Sequence, residues 1–328
     1  MLSRVAENLY WMARYLERTE DMARLINATT LLLLDLPQGA EFGWDVLLQV
    51  TGDAELYTEH YNTPEEGRIM RFLIADECNP NSVMAAIHQA RENCRTFRDL
   101  LPAEFWERLN ALFLFVREHA GTSSDSRHGR YAFLSEVISR RHALVGLLIS
   151  SMSQDNVYQF IKLGRNMERA DMTTRIVDVT SAVILPQDQG LQKTSGTSLW
   201  LGVLRALSAF EMYRRHVSVQ VRSNQVVDYL LKDGKFPRSM KYCLGEMEVA
   251  LAHLPNAGVP SEAVRRARRR LDVLKLANLR PDLLHEYLDQ AQKDLAMVHR
   301  TIQGTYFARD ASGFNGVPKG LHLSAVQA

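Results

Sequence analysis

The chain has 328 residues, 46% of them hydrophobic, with 39 Lys and Arg against 38 Asp and Glu. This length admits one large or two ordinary domains, and this composition supports a packed core. A formal net charge of +1 argues against a dedicated nucleic-acid or anionic-membrane surface.

Apolar residues recur at i, i+3, i+4 and i+7 through most of the chain, Gly and Pro are sparse, and no sustained alternating strands occur. The pattern predicts an all-α fold. It places helices near 3–34, 43–60, 64–77, 82–100, 102–120 and 130–152, then near 154–183, 197–224, 225–232, 239–252, 260–277 and 281–308. GTSSDSRHGR at 121–130 is expected to be a loop and KDGKFP at 232–237 a turn. A tail over 309–328, rich in Gly, Ser and Pro, lacks periodicity and is expected to be an irregular extension or a packed-down strap. Cys78, Cys94 and Cys243 show no CxxC spacing, which fits a reducing cytosol and a cytoplasmic protein. The N-terminal MLSRVAENLYWMARYLER is charged throughout, unlike a signal peptide, and the apolar burst LLLLDLP at 31–37 is too short to span a bilayer.

A charged phrase is written twice. At an offset of 151, Arg14 matches Arg165, Glu17 matches Glu168, Arg18 matches Arg169, Glu20 matches Asp171 and Arg24 matches Arg175. At 156, Trp44 matches Trp200, Leu48 Leu204, Glu55 Glu211, Tyr57 Tyr213 and His60 His216. At 157, Leu73 matches Leu230, Asp76 Asp233, Pro80 Pro237 and Ser82 Ser239. Three collinear blocks with slowly drifting offsets imply an internal duplication. The expected layout is a first helical half over 1–153, a second over 154–308 and the tail, the halves packing as a pseudo-two-fold helical bundle.

On a helix, Glu17, Arg18, Glu20, Asp21 and Arg24 fall in one sector around Arg14, with Leu9, Met12, Met22 and Ile26 opposite. Taken alone, this is a wet charged face laced by i,i+3 and i,i+4 pairs. In the second copy, Ile161, Met172 and Ile176 share the charged sector, so the repeated charges are expected to be at least half buried and interlocked. The candidates for a buried charge network or an anionic-ligand site are Arg14, Glu17, Arg18, Arg24, Arg165, Glu168, Arg169 and Arg175.

Secondary candidates are Glu55, His60, Glu211 and His216, with Asp76 and Asp233. Glu and His five apart do not share a helix face and HExxH is absent, so no metal site is assigned. A histidine hydrogen-bonded at a helix end is the simpler role, and acid–base work would need a carboxylate from the other half. Ser82 and Ser239 read as helix N-caps. The run RRARRR at 265–270 reads as a solvated face pairing with neighbouring acids, with Val264, Ala267 and Leu271 inward and no interleaved aromatics to stack on bases. No GxGxxG, GxxxxGK[ST] or GxSxG motif occurs, and no cofactor is assigned.

The phrases NLYWMARYLERTEDMARL and FIKLGRNMERADMTTRI, supported by NPNSVMAAIHQARENCR, resemble the signature helices of the bacterial alpha-E domain family. The resemblance covers Met1 to about Phe307. It departs at Asn166–Met167 and at Cys94, leaving the repeated Arg and Glu positions untouched. It implies an all-helical fold with no activity assigned, encoded beside an ATP-grasp ligase and a transglutaminase-like cysteine peptidase. The function it implies is that of an accessory partner of a ligase making peptide or amide bonds. The competing expectation is an enzyme or ligand-binding subunit with Arg14, Glu17, Arg165, Glu168, His60 and His216 converging in a cavity between the halves.

Overall fold

The computed structural model describes residues 3–35, 43–123, 126–184, 193–274 and 281–307; the expected tail at 309–328 lies outside them. Among the described residues there is no strand. The helices in the first part are α1 (Ser3–Asp35), α2 (Asp45–Thr51), α3 (Ala54–His60), α4 (Glu66–Ile74), α5 (Val83–Arg95), α6 (Ala103–Ser123) and α7 (Arg127–Ser151). Those in the second are α8 (Asn156–Ile184), α9 (Lys193–Ala206), α10 (Phe210–His216), α11 (Ser223–Lys232), α12 (Met240–Ala252), α13 (Gly258–Val273) and α14 (Pro281–Tyr306).

The long helices α1 and α8 pack against each other along the centre. Helices α5, α7 and α9 pack on α1, while α12, α14 and α2 pack on α8. Helix α6 bridges α5 to α7, and α13 bridges α12 to α14. As a result the middle of α1 is covered on all sides, while Ser3, Arg4, Leu31 and Leu34 at its ends stay exposed. Met12, Met22 and Ile26 are inside, and so are Arg14, Glu17, Glu20 and Asp21. The wet face suggested by the first charged phrase is therefore covered. Apolar periodicity reports which side of a helix is greasy; it does not report what lies over the other side.

Serine caps open the flanking helices. Ser82 Oγ accepts from Ala85 N and Ser239 Oγ from Tyr242 N, each at 3.1 Å, satisfying N–H groups that have no partner within the helix. The single helices expected at 43–60 and 197–224 are each broken in two. Gly52 takes φ +77° between α2 and α3, and Ser208 takes φ +53° between α9 and α10. At both joints the next residue donates backward, Asp53 N to Leu48 O at 3.0 Å and Ala209 N to Leu204 O at 2.7 Å. A left-handed break this short leaves the apolar periodicity almost intact, so the sequence pattern ran through it. Helix α10 ends at His216, and α5 ends at Arg95 ahead of a short 3-10 turn at Arg98–Leu100.

At the α1–α8 crossing, a Cβ on Gly164 would collide with the Tyr10 carbonyl and stand 3.2 Å from Ala13 Cβ. The obstacle is backbone inside a close-packed core, which yields little. Gly164→Ala is expected to destabilise by about 3 kcal/mol, the upper end of overpacking costs. Helix propensity alone would change stability the other way by about 1 kcal/mol. The sign of the shift in thermal melting therefore tests how close the helices stand.

Candidate functional site

Helices α1 and α8 present their repeated charges to each other. Glu168 accepts from Arg14 Nε at 2.6 Å and from Arg18 Nε at 2.5 Å, with Arg18 Nη2 at 3.2 Å. Arg18 Nη1 also donates to Asn81 Oδ1 at 3.0 Å, and Asn81 Nδ2 donates to Asp53 Oδ1 at 2.8 Å. The reciprocal carboxylate, Glu17, accepts from Arg169 Nε at 2.7 Å and lies 2.8 Å from Arg238 Nη2. Arg141 Nη2 completes its shell. One helical turn on, Glu20 is held by Arg24 Nε at 2.7 Å, Arg238 Nη2 at 2.9 Å, His142 Nε2 at 3.1 Å and Arg141 Nη1. Asp21 Oδ1 accepts from Arg238 Nη1, and Asp21 Oδ2 has no hydrogen-bond partner.

Burial disfavours the charged form of every acid here, and the arginines decide which acids overcome it. For Glu17 the opposing guanidinium groups of Arg141, Arg169 and Arg238 outweigh burial and hold the carboxyl at about 2. Arg14 and Arg18 do the same for Glu168, also at about 2. Glu20 is held well below the ordinary range by Arg141 and Arg238 against its burial. Asp21 has one guanidinium partner and three like charges nearby, so burial prevails and raises it to about 7. Cys243, packed beside this cluster, is raised by burial to about 12 and is no nucleophile at neutral pH.

The remaining primary candidates divide. Arg175 pairs with Asp171 at 3.0 Å within α8. Arg165 Nε is buried with no hydrogen-bond partner, so the match to Arg14 does not extend to a reciprocal Arg165–Glu17 bond. The secondary candidates are not brought to the network. Glu55, His60, Glu211 and His216 are exposed on α3 and α10, and His60 Nδ1 meets its own helix at Leu56 O, 3.0 Å away. Their expected convergence with Arg14, Glu17, Arg165 and Glu168 is corrected: α3 and α10 are outlying helices, and their last turns face solvent. Asp76 accepts from Tyr61 Oη. Asp233 Oδ1 accepts from Lys235 N at 2.8 Å and Phe236 N at 2.7 Å, pinning the turn before α12.

A cleft of about 430 Å3 runs along α12, lined by Lys241, Tyr242, Gly245, Val249 and Arg268 among others. Another, of about 270 Å3, lies at the α9–α10 joint. Neither is lined by a residue of the network. Among the described residues, no group of three or more His, Cys, Asp or Glu is placed to hold a metal ion, and no helix is long and apolar enough to cross a membrane. In the basic run, Arg265 and Arg269 pair with Glu262, Arg268 with Glu248 and Arg270 with Asp294. Val264, Ala267 and Leu271 point inward.

Arg141 and Arg238 complete the network and were not among the sequence candidates. Arg141 continues the buried stripe Leu134, Val137, Leu144 and Leu148 of α7. A cation inside an apolar stripe is the signal that could have found it. Arg238 stands where the 157-residue match places Asn81 in the first part; because the residues differ, matching like with like passed over it.

Uncharacterised proteins of Mycobacterium bovis and Mycobacterium tuberculosis are 24% identical over 283 residues, which is 80% of this chain and 31% of theirs. The chain thus spans less than a third of the length of these relatives. No solved structure matches it. A family model described as a predicted alpha-helical domain with a conserved ER motif matches residues 1–307. Two of the chain's Glu-Arg dipeptides, Glu17–Arg18 and Glu168–Arg169, are the centre of the network. The chain belongs to the Alpha-E family.

Proposed function

We propose that the chain is a non-catalytic helical partner of an ATP-grasp-type ligase that forms peptide or amide bonds, docking the ligase or its peptide product in the cytoplasm. A transglutaminase-like peptidase is a further partner in the same system. The observation that carries a structural role for the Glu-Arg helices is the saturation of buried Glu17, Glu20 and Glu168 by six arginines, with His142 reaching Glu20 from the surface. Carboxylates so held cannot take a proton or a ligand near neutral pH without breaking the fold's own contacts. That the related segment is part of much longer mycobacterial proteins supports work alongside other modules. The ligase as the specific partner rests on the family resemblance.

The reading includes a duplicated architecture with a boundary near residue 153 and a pseudo-two-fold relation. The matched joints at Gly52 and Ser208 support it, as do the matched caps at Ser82 and Ser239 and the reciprocal Arg18–Glu168 and Arg169–Glu17 pairs. Affinity purification of the tagged protein from its host, with mass spectrometry of co-eluting proteins, tests the function. An ATP-grasp ligase in near-equal amount is expected; a chain recovered alone counts against it.

A further inference from the structure

The end of the molecule formed by α9, α10 and the loop after them is built differently from its counterpart. Arg205, Arg214 and Arg215 are exposed and, among the described residues, pair with no acid. Arg205 and Arg214 both lie by the Phe210 ring, 6.0 and 5.4 Å from its centroid. Beside them is the cleft of about 270 Å3, lined by Leu204, Arg205, Ser208, Phe210 and Glu211. Three exposed apolar side chains follow within eight residues: Met212, Val217 and Val219, the last 75% exposed.

The fold does not require this patch. At the 156-residue match, α2 and α3 carry Gln49, Ala54, Thr58 and Glu59 where α9 and α10 carry Arg205, Phe210, Arg214 and Arg215. Both joints make the same backward hydrogen bond. Equivalent backbone is therefore built without cations. Ser208 holds φ +53° where the first joint uses glycine, and a serine there costs conformational energy that glycine avoids. Exposed arginines and exposed apolar side chains gathered in one short stretch of chain have the composition of docking sites rather than of ordinary surface.

We propose that this α9–α10 face is the docking surface for an acidic amphipathic segment of the protein partner, a choice that rests on the partner reading above. Carboxylates of the segment meet Arg205, Arg214 and Arg215, and its apolar side chains cover Met212, Val217 and Val219. Guanidinium groups suit carboxylates through forked hydrogen bonds. A nucleic acid is disfavoured because the cleft offers one aromatic ring, Phe210, already attended by two guanidinium groups, rather than a row of rings for successive bases. Glu211 at the edge adds a negative charge that an extended phosphate backbone would avoid.

The test is fluorescence anisotropy with three labelled probes: a peptide of repeated Leu-Glu-Glu, its Leu-Lys-Lys counterpart, and oligothymidylate. The comparison variant is Arg205→Gln, Arg214→Thr, Arg215→Glu, which installs residues the chain already carries at the matched joint. The Leu-Glu-Glu peptide is expected to bind the wild-type chain and bind the variant at least about tenfold more weakly. Binding should also fade between about 0.01 M and about 1 M salt, where the reach of a charge drops from ~30 Å to ~3 Å. Equal binding by the variant, no binding of the acidic peptide, or tighter binding of oligothymidylate would overturn the proposal. A native pull-down with both chains separates the two claims. If the wild type retains the ligase and the variant does too, the docking surface is wrong and the function stands. If no ligase is retained but the peptide pattern holds, the function is wrong and the surface stands.

Discussion

Glu168→Ala is expected to lower the melting temperature by on the order of 10 °C. The substitution leaves Arg14 and Arg18 facing an empty interior position; their side chains are 4% and 12% exposed. An uncompensated buried charge costs about 3–5 kcal/mol. In a chain of this size each kcal/mol moves melting by about 2–4 °C. Glu262→Ala is the control: Glu262 also meets two arginines, but on the surface of α13, where such pairs contribute less than about 1 kcal/mol. Glu168→Gln should fall between, because it keeps the volume and an acceptor while losing the charge. Circular dichroism melts of the three variants decide the matter. If Glu168→Ala melts with the wild type, the arginines find water, and the network is not the interior structure described above. If it melts normally but no longer retains the partner, Glu168 belongs to a binding surface and the structural account of it fails.

The contrast between these two glutamates also shows where sequence stops being informative. Both sit among arginines on helices, and the local spacing cannot tell them apart. What separated them was the second copy: Ile161, Met172 and Ile176 around the repeated charges marked that sector as inner. Long periodic elements were legible for the same reason, since α1, α7, α8 and α14 each carry an apolar face that only a helix can bury. The short joints were not, because Gly52 and Ser208 turn the chain without disturbing the period. Nor was the full membership of the network. Arg141 and Arg238 reach Glu17 across 124 and 221 residues of chain, and no local rule connects positions so far apart. The same limit explains His60 and His216. Their repetition was visible, but whether a helix end faces a seam or solvent depends on the packing of α3 and α10, which composition does not encode.

Asp21 is expected to make the protein less stable as pH rises from about 4 to about 7, against the usual behaviour of paired acids. Its carboxyl is fully buried, holds one guanidinium partner and leaves Oδ2 without a hydrogen bond. Burial raises it from 3.8 to about 7. The unfolded chain releases this proton near pH 4, whereas the folded chain keeps it until about pH 7. Between those values Asp21 holds a proton in the folded state that it has lost in the unfolded one, so its own contribution falls as pH rises. The loss amounts to roughly 4 kcal/mol over the window, at about 1.4 kcal/mol per unit. Glu17 and Glu168, held at about 2, act in the opposite direction, but only as pH falls below about 4.5. Buried His299, lowered from 6.5 to about 3, adds stability as pH rises to about 6.5, so the Asp21 contribution is isolated by comparing the wild type with a variant that lacks the carboxyl. Asp21→Asn keeps an acceptor for Arg238, which still holds Glu17 and Glu20, and removes the titration. The advantage of its urea midpoint over the wild type should grow from about pH 4 to about pH 7 and level off above that. A difference between variant and wild-type midpoints that stays constant across that range would mean that Asp21 is ionised inside the fold. Met172 stands at the position that the 151-residue sequence match pairs with Asp21, so the two charged phrases differ there. The carboxyl at Asp21 makes the central charge network respond to pH near neutrality.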